Sequence, residues 1–390
     1  MAALAPLGAQ PTAPLAPIVE DLRLDANAED FSRVRFVYVG PRGQIAIPLD
    51  QDQHIRMYDS TGKRLGIVGR RGSGPGEFQN MFPIGWKADT LWVGDQSQRR
   101  VSFFGPDYKL IRTILNSTFD PGPSAAARAE AELSGVGIPL TTMSPVAIRS
   151  DGAIIASLYG AWSPKAGPFA SAGSFARIGT DGRVAKLATL PWNGDERWAM
   201  TAGAFGRFIP FAAYPQSAVS VTGDRVAHMW SELTSRAAGT FTVSAFRTNG
   251  DTMFVRTFPF TGVPISQTAR DSAVAAMAPR GGFSEGGEGV VQEFQAKARA
   301  RMPPVYAGVE LLLLGIDNTV WVGLHTTPEG QPVLVLNGKG DPIATVLVPP
   351  RSRLRQASAT HIWVTETDDD GLASVVRYRV RGIACGAPSC

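Results

Sequence analysis

Two stretches near the N-terminus repeat the same order of apolar and polar residues. Gly43–Lys63 reads GQIAIPLDQDQHIRMYDSTGK, and Asp89–Lys109 reads DTLWVGDQSQRRVSFFGPDYK. They overlie one another without a gap, Asp89 falling 46 residues after Gly43. Ile45 then matches Leu91, Ile47 matches Val93, Ile55 matches Val101, and Met57-Tyr58 matches Phe103-Phe104. Each unit is an apolar strand, a polar turn, a second apolar strand ending in aromatics, and a turn rich in Gly, Pro and Asp. Alternation of period two bounded by turn residues predicts a β-hairpin.

Weaker copies follow. One begins at Asp151 (DGAIIASLYGAW) with a second strand at Phe175–Ile178, and one at Asp224 (DRVAHMWSEL) with Thr240–Arg247. A fifth begins at Asp317 (DNTVWVGLH) with Val333–Leu336, and a sixth at Thr360–Glu366 (THIWVTE) with Ser374–Val380. The tripeptides Leu91-Trp92-Val93, Val320-Trp321-Val322 and Ile362-Trp363-Val364 mark one equivalent strand in three copies. A unit of roughly 40–70 residues cannot bury its apolar faces alone and has to stack on copies of itself. Six such units predict an all-β fold, a single six-bladed β-propeller spanning residues 18–384. Ile18–Asp25 alternates apolar and charged residues and is expected to add the outermost strand to the last blade, closing the ring. An open array would leave sheet edges exposed.

Two stretches break the repeat, 116–142 and 261–304. The first holds Ser124–Leu133, a Ser cap followed by Ala-rich helix formers; the second holds Ser266–Met277 and Gly289–Met302. They are expected as short helical insertions between blades, on a propeller face.

Composition adds little that conflicts. Of 390 residues, 44% are apolar and 18% charged, which supports a sizeable core. The 42 Gly and 29 Pro are spread along the chain and suit many short strands and turns. A net charge of +4 gives no case for nucleic acid or acidic membranes. The pairs Arg70-Arg71 and Arg99-Arg100 read as solvated loop charges. No apolar run reaches the ~18 residues of a membrane span, and the chain is expected to be a monomer. Residues 1–17 read as a disordered N-terminus or the remnant of a secretory signal, Leu4–Gln10 resembling the small-residue end of one. The tail, residues 385–390, carries both cysteines. Cys385 and Cys390 enclose a short Gly/Pro loop and read as a local disulfide, or else as two free thiols on a frayed tail. The disulfide implies a secreted or periplasmic protein.

Gly69–Gly85, GRRGSGPGEFQNMFPIG, resembles the GxGxGPGEF…P-x-G junction of NHL-type repeats and of bacterial six-bladed propellers related to them. The resemblance implies a structural blade junction. Gly72, Gly74 and Gly76 would permit the tight reversal, Pro75 would stiffen it, Glu77 would accept backbone N–H groups, and Phe78 would pack between blades. Asp95-Gln96-Ser97-Gln98-Arg99-Arg100-Val101 resembles the family's D-x-x-N-x-R-[IV] turn, with Gln98 in place of Asn. The motif covers roughly the first two blades.

The repeat alignment also yields candidate ligand positions, taking these strands as the innermost ones. The position of Asp95 is occupied elsewhere by Leu49, Leu158, Trp230, Leu324 and Glu366, mostly large apolar residues that suggest a packed plug rather than a metal layer. The next position gives Asp50, Gln96, Tyr159, Ser231, His325 and Thr367, a polar ring expected at one channel mouth, suited to a small polar ligand or a peptide end. Four histidines, none at metal-ligand spacing, and the lack of a nucleophile motif argue against a metal, a cofactor and catalysis. The expectation is a non-enzymatic recognition propeller that takes a protein or small-molecule ligand. The alternative is a metal-dependent lactonase, esterase or lyase using Asp50, His325 and Glu366. RNA binding through Arg70, Arg71, Arg99 and Arg100 is the least favoured. His228 reads as an interior residue and Asp368–Gly371 as a charged turn. Trp192, Trp198, Trp230 and Phe205–Tyr214 read as inter-blade core.

Overall fold

The computed structural model describes residues 13–31, 33–115, 140–160, 175–180, 184–188, 198–200, 206–277 and 287–383. It contains six four-stranded antiparallel sheets, the six blades of a β-propeller. Blade one is β2 (Tyr38–Val39), β3 (Ile45–Leu49), β4 (His54–Tyr58) and β5 (Arg64–Val68). Blade two is β6 (Met81–Lys87), β7 (Thr90–Asp95), β8 (Arg100–Phe104) and β9 (Leu110–Leu115). Blade three is β10 (Leu140–Ile148), β11 (Ile154–Gly160), β12 (Phe175–Ile178) and β13 (Val184–Ala188). A two-stranded ribbon follows, β14 (Trp198–Met200) and β15 (Gly206–Phe208). Blade four is β16 (Gln216–Val219), β17 (Arg225–Leu233), β18 (Ala238–Arg247) and β19 (Thr252–Thr261). Blade five is β20 (Val309–Leu314), β21 (Val320–Leu324), β22 (Gln331–Leu336) and β23 (Pro342–Val348). Blade six is β24 (Ser352–Ala357), β25 (His361–Thr367), β26 (Ala373–Val380) and, from the other end of the chain, β1 (Ile18–Leu24).

The burial of each strand follows its place in the blade. Second strands such as β3 (IAIPL) and β21 (VWVGL) are buried at every residue, because a neighbouring blade covers each face. The fourth strand of blade one, β5, is exposed at three of its five positions. The core is accordingly divided into apolar layers, one between each pair of adjacent blades. Met229, Phe241 and Phe258 meet Leu312 and Leu334 between blades four and five; Trp321 and Val335 meet Ile362 and Val376 between five and six. Tyr58 and Ile47 meet Trp363 and Leu24 between six and one; Met57 and Phe78 meet Trp86 and Phe104 between one and two. Trp92 and Phe103 meet Ile148, and Ile155 meets Val226, completing the circle.

Closure comes from β1, which pairs antiparallel with β26 from Ile18↔Val380 to Leu24↔Val375. Charged side chains reinforce the seam. Arg23 bridges Glu20 and Glu366, each at 2.7 Å, and Asp21 accepts from Arg377 at 2.8 Å.

The blade one to blade two junction is held by a dense set of hydrogen bonds. The Glu77 carboxylate accepts from the Gly74 N–H at 2.8 Å and from Arg70 Nε at 2.8 Å. Phe78 is fully buried against Phe104, with ring centroids 6.1 Å apart. Gly69 is at φ +76°, and a Cβ there would stand 2.1 Å from the Phe78 ring, so neither backbone nor space admits a larger residue. Gly76, at φ +75°, makes the second reversal beside Pro75. The turn after β7 clamps this loop from below: Gln98 Nε2 donates to the Gly72 carbonyl, and Arg100 donates to the carbonyls of Ser73, Gly74 and Glu77.

Two helices lie between blades four and five, α1 (Gln267–Ala275), capped by Ser266 Oγ, and α2 (Gly287–Arg301). Val274 and Met277 pack on Ala298 and Met302 with Phe211 against them, and Phe294 packs on Ile209. This corrects the reading of the aromatic run before blade four. Ile209 and Phe211 do not fill an inter-blade layer; they seat the helices, because the ribbon β14–β15 carries this segment out of the repeat. Among the described residues no helix is long and apolar enough to cross a membrane. The expected helix Ser124–Leu133, the stretch Leu4–Gln10, Trp192, Cys385 and Cys390 lie outside the described residues.

Candidate binding sites at the two channel mouths

The first strand of each blade is the innermost. A narrow axial cavity of about 240 Å³ is walled by Tyr38, Ile84, Val146, Ala218, Leu313 and Arg355, one residue from each first strand. The strands used to align the repeat are second strands, one layer out from the axis. First strands run away from one face and second strands return to it. The turns after second strands and the links between blades therefore share one face, the connection face. The turns after first and third strands share the other, the turn face.

This geometry relocates the polar ring. All six of its positions belong to second strands or the residue just past them, so they stand around the channel wall rather than lining it. Asp50 reaches Arg35 of its own blade at 3.6 Å; burial raises its carboxyl above the usual range, opposed by Arg35 and Arg33. Gln96 is exposed, its N–H donating to the Asn80 carbonyl. Tyr159 lies opposite Thr142 in the β10–β11 pair, and Ser231 is buried opposite Phe241. His325 Nδ1 donates to Glu310 at 2.7 Å, and its ring stacks on Tyr306 at 4.6 Å. Thr367 is exposed at the end of β25. Glu366 is engaged by Arg23, Tyr378 and Ser352 in the closing seam. The structure gathers Asp50, His325 and Glu366 into no common site: each is bonded to its own surroundings. Asp95 sits fully buried beneath the junction loop, where it accepts from the Gln79 and Gln98 N–H groups at 2.7 and 3.0 Å. Among the described residues no three His, Cys, Asp or Glu side chains gather closely enough to hold a metal ion.

The channel wall carries a cationic cluster, Arg355 with Arg353 and Arg35 near it. Arg355 donates from Nε to Thr365 Oγ1 at 2.9 Å. Burial lowers its guanidinium pKa, and the like charges of Arg353 and Arg35 lower it further.

The turn-face mouth opens into a larger cavity of about 590 Å³ to which all six blades contribute, through residues such as Gly40, Trp86, Ile148, Thr222, Ile316 and Trp363. Trp86 and Trp363 are only 5% and 4% exposed, and neither indole N–H has an acceptor among the described residues. The contrast with blade five is instructive. There Trp321 Nε1 donates to Thr319 Oγ1 at 2.7 Å, so the same strand position is satisfied internally. An unmet buried donor costs about 1–3 kcal/mol, which a bound acceptor would recover. Lys87 lines this cavity with no ion pair among the described residues. On the opposite rim His361 contacts Thr360 at 3.0 Å and Asp21 at 3.4 Å. Burial lowers the His361 pKa; Asp21 opposes that, while Arg377 and Arg379 add to it.

Trp363 belongs to one of the three strand-marking tripeptides, but nothing in its sequence context distinguished it from Trp321. The first strands leave little trace in the sequence because they are short or bent. β2 has two residues, and β6, β10, β20 and β24 carry register shifts that break their alternation. The available signal was an apolar cluster just before each copy, such as Val37-Tyr38-Val39, Val146-Ala147-Ile148 and Leu311–Leu314.

The fold and its two mouths define a six-bladed β-propeller closed by its N-terminal strand, with a polar-rimmed cavity on the axis. No protein-family model matches the chain, and no curated protein sequence does. Among solved structures it is similar to a member of the DUF4221 family from Bacteroides vulgatus, at 10% identity over 96% of this chain and 98% of that one, with a TM-score of 0.49. It is also similar to regucalcin, a calcium-binding protein from Agrobacterium tumefaciens (12% identity, 95% and 97% covered, TM-score 0.38). A third similar structure is virginiamycin B lyase from Staphylococcus aureus (11% identity, 92% and 88% covered, TM-score 0.35).

Proposed function

We propose that this chain is a recognition propeller that binds a small amphipathic ligand, or the end of a larger one, in the turn-face mouth. The observation that carries this reading is the pair of buried indole N–H donors, on Trp86 and Trp363, in a cavity with the ammonium of Lys87, which forms no ion pair among the described residues. Rigid aromatic walls suit a flat apolar body, and the donors suit an acceptor or anionic group on it. Anilinonaphthalene sulfonate combines these features and reports binding by fluorescence. It is expected to bind one site per chain and to accept energy transfer from tryptophan. Replacing Trp363→Phe together with Lys87→Ser should weaken it about tenfold, the scale of one charge-assisted hydrogen bond. Unsaturable binding, or equal affinity in that variant, would overturn the reading.

A catalytic reading on the connection face has one feature in its favour. Glu310 orients His325 at 2.7 Å, the arrangement that fixes a histidine for proton transfer. Ester or lactone turnover lost in His325→Gln and retained in Trp363→Phe would favour it over recognition. The kinship to NHL-type propellers rests on the GPGEF junction. A location outside the cytoplasm rests on the Cys385–Cys390 pair; mass shifts on alkylation with and without reductant test it.

A further inference from the structure

A second cavity, of about 750 Å³, opens on the turn face away from the axis, among the turns of blades three, four and five. It is large enough for a small-molecule ligand. Five cationic side chains line it: Arg149, Arg177, Arg225, Arg247 and Lys339. Four carboxylates stand within reach, and each is already engaged; Asp317, whose charge acts on Arg225, accepts from Thr319 Oγ1 at 2.7 Å. Asp151 is shared by Arg149 and Arg177 at 3.1 and 3.2 Å. Asp224 accepts from Ser220 and Thr222 and lies 3.6 Å from Arg225, and Asp341 is drawn to Arg256 at 3.5 Å.

Burial lowers the guanidinium pKa of Arg225, and the charges of Asp224 and Asp317 offset that only in part. Arg225 closes the first turn of blade four, where Ser220 N–H donates to its carbonyl. The same place in blade five is taken by Thr319, whose hydroxyl donates to Asp317 at 2.7 Å. In blade four a guanidinium stands there instead, its side chain 6% exposed. Its NH1 donates to the Asn318 carbonyl at 3.0 Å, while Nε has no hydrogen-bond partner among the described residues. The residue directly opposite on β18 is Arg247. Arg177 Nε is likewise buried without a partner among the described residues. Arg247 and Lys339 are exposed at the rim and form no ion pair among the described residues.

We infer that this cavity is a binding site for a small ligand carrying two or more anionic groups, phosphate or carboxylate, held between the opposed guanidinium groups of Arg225 and Arg247 and by Lys339. A bridging anion would accept charge-assisted hydrogen bonds from the arginines on β17 and β18. Arginine forks match the oxygens of both groups. The site shares no lining residue with the axial cavity, so it stands or falls separately from the reading of the turn-face mouth.

Isothermal titration of the full chain with inorganic pyrophosphate and with citrate tests this and distinguishes the two chemistries. One saturable site is expected for at least one of them, weakening as salt rises, with a ligand-dependent rise in melting temperature. Arg247→Ser with Lys339→Ser alters only exposed side chains and should lower affinity about tenfold while leaving the unliganded melting temperature unchanged. Arg225→Met gives a second readout. If Arg225 serves the ligand, this variant holds or gains unliganded stability and loses binding. No saturable binding of either anion would overturn the proposal. So would undiminished affinity in the rim variant, or an Arg225→Met protein that is destabilised yet binds normally.

Discussion

Asp95→Ala is expected to cost roughly 3–5 kcal/mol of folding stability, a larger loss than any surface substitution gives. Asp95 is fully buried and accepts three hydrogen bonds, from Gln79 N–H at 2.7 Å, Gln98 N–H at 3.0 Å and Gln98 Nε2 at 2.8 Å. Alanine removes every acceptor, leaving the Gln79 and Gln98 backbone N–H groups without their partner and the Gln98 amide with only the Gly72 and Glu77 carbonyls. Gln98 also holds the Gly72 carbonyl, so the damage spreads into the loop that joins blades one and two. Urea unfolding should show a lower midpoint at an unchanged m-value. Asp95→Asn keeps one acceptor oxygen and should fall between alanine and the parent. A midpoint for Asp95→Ala within error of the parent would mean the junction is held elsewhere, by Arg100 alone.

The second large effect is a pH dependence set by His228. This ring is 1% exposed, lies between Phe175 and Phe246 at 5.9 and 5.8 Å, and shares a hydrogen bond with Ser217 at 2.9 Å. Nε2 has no partner among the described residues, so a second proton would be buried without an acceptor. Burial lowers the pKa from 6.5 to about 4. The sign follows from proton counts. Between those values the unfolded chain binds a proton that the native ring refuses, so stability present above pH 6.5 is lost as pH falls toward 4. The loss over that window is about 3 kcal/mol. Stability curves at pH 7 and pH 4.5 should diverge less for His228→Gln than for the parent. Equal divergence would assign the acid sensitivity to other groups.

The hairpin periodicity was legible because second and third strands are buried on both sides, and that burial forces long apolar runs such as Ile45–Leu49 and Val320–Leu324. The closing strand was legible at Ile18–Leu24 because its outer face must be charged while its inner face packs. The helices at Gln267–Ala275 and Gly287–Arg301 announced themselves by the Ser266 cap and by residues that form helices well. What stayed hidden was the radial order. Alternation of period two states which side of a sheet a residue faces, but not which strand stands nearest the axis. The positions from Asp50 to Thr367 stand on second strands, one layer out from the axis. The turn-face cavity was hidden for a related reason: Trp86 comes from a bent first strand and Trp363 from a regular second strand. Their convergence depends on the whole ring being assembled.

The pairing of β1 with β26 also sets the order in which the protein can be completed. On the ribosome β1 is made first and its partner last. Blades one to five emerge with all their own strands, but the sixth has only three until the start of the chain returns to it. Until then β1 trails unpaired and β26 presents a bare edge, which neighbouring nascent chains can also capture. Joining β1 to β26 closes the longest loop of any strand pair described, so that step is the slowest of the blade-forming contacts. A chain interrupted just before Ala373 would assemble most of its layers and still lack the strand that receives β1.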